Sequence, residues 1–123
     1  MKVLSAGDRT GALELFMKLV GVPNEQIQGM RHAPVWKDFE AVAPTLEYDS
    51  IALGDGFSMP KVRASRILMP TLVLVGGASP QFLQASAQEL KEAFPNAQIR
   101  SLQGQTHDVQ PEALAPVLKE FLS

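Results

Sequence analysis

Two residues in this chain carry an imidazole, His32 and His107, and none carries a thiol. His107 stands in the run Gly104-Gln-Thr-His107-Asp108. An imidazole titrates near neutrality, so it can take a proton from a hydroxyl or a water during attack on an ester. Asp108 beside it puts a carboxylate on the same loop. With His32 these residues approach the donor set of a catalytic zinc site, which uses about three protein ligands and a water. One chain offers barely enough. The metal reading therefore needs His32, His107 and Asp108 gathered from two copies, an arrangement that could also build a two-metal site for phosphate esters. Each residue also has a plainer reading. Asp108 is well placed to cap a helix at Pro111, and His32 to close a helix C-terminus.

Ser79 is the hydroxyl of interest. Ser79-Pro80 has the form of a helix N-cap followed by proline at the first helical position. Gly76-Gly-Ala-Ser79 is not a G-x-S-x-G nucleophile elbow, because Gln81 stands where the second glycine is needed. The carboxylates Asp38, Glu40, Glu47 and Asp49 fall in one amphipathic stretch and read as a solvated face, with Asp49 after Tyr48 as the one candidate for lining a cavity. Trp36, Phe39 and Phe16 read as core rather than as a substrate box.

The elements that must position these groups follow from periodicity and punctuation. Asp8 caps a helix whose apolar positions are Leu13, Phe16, Met17 and Val20. Gly21-Val-Pro23 ends it, and a short polar helix runs on to about Met30. From Pro34, the positions Trp36, Phe39, Val42 or Ala43, Leu46 and Leu53 recur at helical spacing, with Pro44 expected to kink or split them. Gly54-Asp-Gly56 is a stop, and Pro60 to Arg66 a further short helix. Thr71–Val75 is apolar throughout, as a strand covered on both faces would be. Phe82, Leu83, Ala87, Leu90 and Phe94 stripe the helix after Pro80. Gln98 to Leu102 is a more polar strand, read as an edge, and Pro111 opens a last helix carrying Leu114, Val117, Leu118 and Phe121. The strands are joined by a helix and must run parallel.

The 123 residues suffice for one domain with a modest core. A 46% apolar and 20% charged composition is that of a globular chain, and a net charge of −2 gives no footprint for nucleic acid. Without cysteine there are no disulfides or thiolate sites. No run reaches membrane-spanning length and the first residues lack a signal-peptide core, so the expected setting is cytoplasmic, away from membranes.

The stretch Pro70-Thr-Leu-Val-Leu, Gly77-Ala-Ser-Pro80 and Gly104-Gln-Thr-His-Asp108 resembles the end of the α/β-hydrolase fold, where the loop after the last strand holds the catalytic histidine. Leu15-Phe-Met, Val20-Gly-Val-Pro23, Met30-Arg-His-Ala-Pro-Val-Trp36 and Tyr48-Asp49 resemble the helical cap of one bacterial group of that family. The resemblance implies an α/β, mostly helical, partial α/β-hydrolase fold with two parallel strands per chain. It divides a single 1–123 domain into a cap-like region, 7–54, and a core remnant, 55–123. It places His107 as general base. Ser79 falls in the slot where many members carry the triad's aspartate, beside the histidine, so that a Ser79–His107 pair is conceivable; Asp55 is the candidate acid from another loop. The family's elbow is absent.

Two parallel strands do not make a stable sheet alone. The expectation is therefore a homodimer or higher homo-oligomer that completes the sheet. Two functions follow. One is hydrolysis of an ester or phosphoester by His107 at a site built between copies, with Ser79 or a zinc-bound hydroxide as nucleophile. The other is a non-catalytic subunit that needs a separate half bearing the elbow.

Overall fold

The computed structural model describes residues 6–54 and 58–123, arranged as two compact units, Met1–Ser58 and Met59–Ser123.

The first unit is helical. Helix α1 (Arg9–Leu19) begins where Asp8 Oδ1 accepts the Gly11 backbone N–H at 2.8 Å, the expected cap. It turns Leu13 and Met17 inward. Phe16, expected inside, is 41% exposed although it shares the face of Ala12 and Leu13. Helix α2 (Asn24–Arg31) follows Pro23 and contributes Ile27, which has no exposed surface. Helix α3 (Val35–Val42) buries Trp36; at Pro44 the chain tightens into a 3-10 turn (Ala43–Thr45) before helix α4 (Leu46–Leu53), the split that Pro44 imposes. Leu13, Met17, Ile27, Trp36 and Ala43 form the core, with Val22, Met30, Phe39 and Leu46 against it.

Glu40 departs from the solvated-face reading. Its Oε1 accepts the Trp36 indole N–H at 3.1 Å and also the Thr10 hydroxyl, so the buried ring has its polar edge satisfied. Helix α4 buries no residue, and Tyr48 and Asp49 on it are exposed.

The second unit opens with helix α5 (Lys61–Ala64). Strand β1 (Thr71–Gly76) and strand β2 (Ala97–Leu102) pair in parallel, Thr71 opposite Ala97 through Gly76 opposite Leu102. Helix α6 (Gln81–Ala93) crosses between them and packs on both strands, and helix α7 (Pro111–Leu122) follows the histidine loop. Arg100 on β2 ties to Glu120 on α7 through two bonds, 2.6 and 3.0 Å, which raises the guanidinium pKa and lowers that of the carboxyl, chiefly through the hydrogen bonds themselves.

The sheet has two strands, and among the described residues the other edge of β1 is unpaired. Of β1 only Val73 and Gly76 are buried, and on α7 Leu114, Val117 and Phe121 are half-buried while Leu118 and Leu122 are exposed. Fifteen large apolar side chains are exposed among the described residues against ten buried apolar ones. No described helix is long and apolar enough to cross a membrane.

Candidate active site

The C-terminal ends of parallel strands are where an open α/β sheet offers its crevice, since both following loops leave from the same edge. Here β1 ends at Gly76 and β2 at Leu102, which face each other in register. The turn after β1 carries Ser79, and the loop after β2 carries His107.

The turn and the loop are stitched together. Gly77 donates its backbone N–H to Leu102 O at 2.8 Å, and Ala78 donates to Gln105 O at 2.8 Å. A Cβ on Gly76 would lie 2.4 Å from the carbonyl oxygens of both Gln105 and Thr106. Only glycine lets the loop backbone come so close to the strand end. Gln105 closes its own loop by accepting the Gln110 backbone N–H at 2.9 Å on Oε1.

Ser79 is buried, at 9% exposure, and is not the helix cap expected of it. Pro80 holds the cap position of α6 in an extended conformation, and no side chain bonds to the free N–H groups there. The serine instead borders a half-open cavity of about 330 Å³, together with His107 and Thr106. The remaining walls are largely apolar: Val73, Val75, Leu83, Leu90 and Leu102 among them, with Leu114 from α7. No lysine, arginine or carboxylate lines it. Neither the Ser79 hydroxyl nor the His107 ring has a hydrogen-bond partner among the described residues.

The other candidates lie elsewhere. Asp108 is exposed and its backbone oxygen accepts the Thr106 hydroxyl at 3.4 Å. It does not cap α7, where Gln110 holds the cap position without a side-chain bond, because the aspartate lies two positions before it, with Val109 between. His32 closes α2 in the first unit, its backbone N–H on the Gly29 carbonyl and that of Ala33 on the Met30 carbonyl, as expected of a helix end. Asp55 lies outside the described residues. Among the described residues no group of three or more histidines and carboxylates is gathered to hold a metal ion.

Two participants escaped sequence reasoning. Gly76 reads as the end of a strand, and its role depends on a loop about thirty residues on. Gln84 donates from Nε2 to the carbonyl oxygens of Gly76 (3.0 Å), Gly77 (3.1 Å) and Ser79 (3.4 Å), holding the whole turn. The one hint was a glutamine in the first turn of a helix whose apolar stripe it interrupts.

No protein-family model matches the chain, and no curated protein does. Among solved structures, the crystal structure of an α/β hydrolase from Sphaerobacter thermophilus is similar, with 44% sequence identity and a TM-score of 0.80. The match covers 99% of this chain and 48% of that one, so the chain spans about half the length of that hydrolase. With the parallel pair β1–β2, the helix between them and the histidine loop in place, and no G-x-S-x-G elbow in the sequence, this chain has a partial α/β-hydrolase fold.

Proposed function

We propose that the chain hydrolyses esters with apolar acyl groups, His107 serving as general base. The observation that carries this reading is the shared cavity: Ser79 and His107 border one apolar recess at the C-terminal ends of both strands. A hydroxyl attacks the ester carbonyl carbon while the imidazole takes its proton. The imidazolium then returns that proton to the departing alkoxide, and water repeats the sequence on the acyl intermediate. Of the hydroxyls that border the cavity, those of Ser79, Ser86 and Thr106, that of Ser79 is the proposed nucleophile, because it is buried on the turn that leaves the end of β1. The acyl group lies along Leu83, Leu90 and Leu114. An ester is favoured over a phosphoester because no cationic side chain lines the cavity to meet a phosphate.

The site is completed by self-association. The unpaired edge of β1 and the exposed apolar side chains of the second unit, Leu68, Met69 and Leu122 among them, support a homo-oligomer in which a second copy covers them. A zinc ion shared by His32, His107 and Asp108 of two copies is the metal-dependent variant of this reading, and chelation separates it from the metal-free one.

The experiment is turnover of p-nitrophenyl butyrate and octanoate, with p-nitrophenyl phosphate as comparison, with and without chelator. Ester hydrolysis that ignores the chelator and disappears in His107→Ala is the expected result. Equal rates in wild type and His107→Ala would remove the histidine from the mechanism. Ser79→Ala then tests the nucleophile: an acyl-enzyme burst lost with it places the acyl group on that serine.

A second reading is supported by the chain's span of about half of the similar hydrolase. In it the chain is the histidine-bearing half, silent alone, and turnover appears only when a polypeptide bearing an elbow serine completes the sheet.

A further inference from the structure

We propose that Gln84 is the positioning residue of the Ser79–His107 site, acting through the backbone of the two loops. This rests on the reading of His107 as the general base. With no hydrogen-bond partner for its ring among the described residues, His107 takes its position from the backbone that carries it. That backbone is in turn fixed by the β1–α6 turn. The Ala78 N–H holds Gln105 O, the Gly77 N–H holds Leu102 O, and the bare Cα of Gly76 seats the Gln105 and Thr106 carbonyls.

The turn is closed by its own Ser79 N–H on Gly76 O at 3.0 Å, and one side chain braces it from α6. The Gln84 amide has two N–H bonds and shares them among three carbonyl oxygens, those of Gly76, Gly77 and Ser79. These carbonyls all converge on one point, which brings three negative dipole ends together; the donor between them offsets their repulsion. Without it the turn opens, the Ala78–Gln105 bond lengthens, and both the serine and the histidine shift. A misplacement of reacting groups by about 1 Å costs on the order of 100-fold in rate, so a device far from the reacting atoms can govern them.

Gln84→Met keeps the side chain's length and removes the donor; Gln84→Asn keeps the donor but falls one methylene short, and is read by the same criteria if the methionine variant fails to fold. Three measurements are made on the full chain: far-UV circular dichroism for the fold, amide hydrogen exchange at Ala78, and the His107 ring signals by NMR. With two histidines in the chain, a His32→Gln variant assigns the ring signals. The expected result is an unchanged circular dichroism spectrum, faster exchange at Ala78, and displaced His107 signals. In turnover, kcat falls on the order of tenfold with KM within about twofold, the pattern of lost transition-state geometry.

The outcomes separate cleanly. Unmoved His107 signals in a folded variant overturn the proposal. So does wild-type kcat in Gln84→Met when His107→Ala is inactive, a result that leaves the hydrolase reading intact. If the wild-type chain turns over no ester, the hydrolase reading falls and the ring signals alone decide the positioning role.

Discussion

Single side chains here divide into those whose type was enough and those whose partner mattered. Ser79 has the sequence context of a helix cap, yet it is buried against a cavity, because Pro80 takes the cap position in an extended conformation and turns the serine back toward the strand end. Trp36 is legible as core, and its indole N–H finds Glu40. Glu40→Ala is expected to destabilise the chain by about 1–3 kcal/mol in denaturant unfolding, since it leaves a half-buried donor unmet. Glu40→Gln keeps an acceptor and should recover most of that loss. Ile27 has no exposed surface. Ile27→Ala should cost about 2–5 kcal/mol through lost contact and the cavity left behind. At Gly76 the backbone of the histidine loop occupies the space of a Cβ. Gly76→Ala is expected to cost about 1–3 kcal/mol and to shift the His107 ring signals; an alanine variant of wild-type stability with unmoved signals would refute the close approach.

At the scale of elements, the decisive contacts are those that fix where a helix or loop ends. The histidine loop is pinned on the β1–α6 turn, and α7 beyond it is tied to β2 through Arg100 and Glu120. The Glu120 carboxyl is held below its ordinary value of 4.5 by the arginine's hydrogen bonds. A carboxyl with a depressed folded pKa contributes stability above its unfolded pKa and loses that contribution as pH falls through the folded value. The melting-temperature difference between wild type and Glu120→Gln should therefore be largest near neutrality and close progressively below pH 4.5. A difference that does not change with pH would show that the pair adds no stability. Both groups are at the surface, so added salt should shrink the difference as well.

The whole molecule is short of cover. A parallel strand pair is ordinarily flanked by further strands and by helices on both faces, because its edges and faces are apolar. Here β1 has one neighbour among the described residues, and large apolar side chains are exposed in both units, from Leu19 and Ile51 to Leu68 and Leu122. Under the proposed self-association, sedimentation at micromolar concentration should give at least twice the chain mass. The melting temperature should rise with protein concentration, since association stabilises by mass action. A folded single chain at that dilution, with a melting temperature independent of concentration, would refute the oligomer and with it the shared-site chemistry.

Much of this was written in the sequence, because it depends on neighbours a few residues apart. Apolar spacing and proline placed the helices within a residue or two. The Asp8 cap, the split at Pro44 and the parallel strands followed from local geometry, and the His107 loop marked the fold. The rest depended on residues far apart in the chain. No local pattern announces that Gly76 must lack a side chain for Thr106, that Gln84 reaches back over three carbonyls, or that Glu40 serves Trp36 and Thr10 rather than solvent. Ser79 is the sharpest case: as a dipeptide Ser79-Pro80 is a cap, and only the tertiary structure shows it bordering a cavity with a loop about thirty residues on. Periodicity is a property of one segment, whereas a site is a property of two segments meeting, and that meeting is settled by packing.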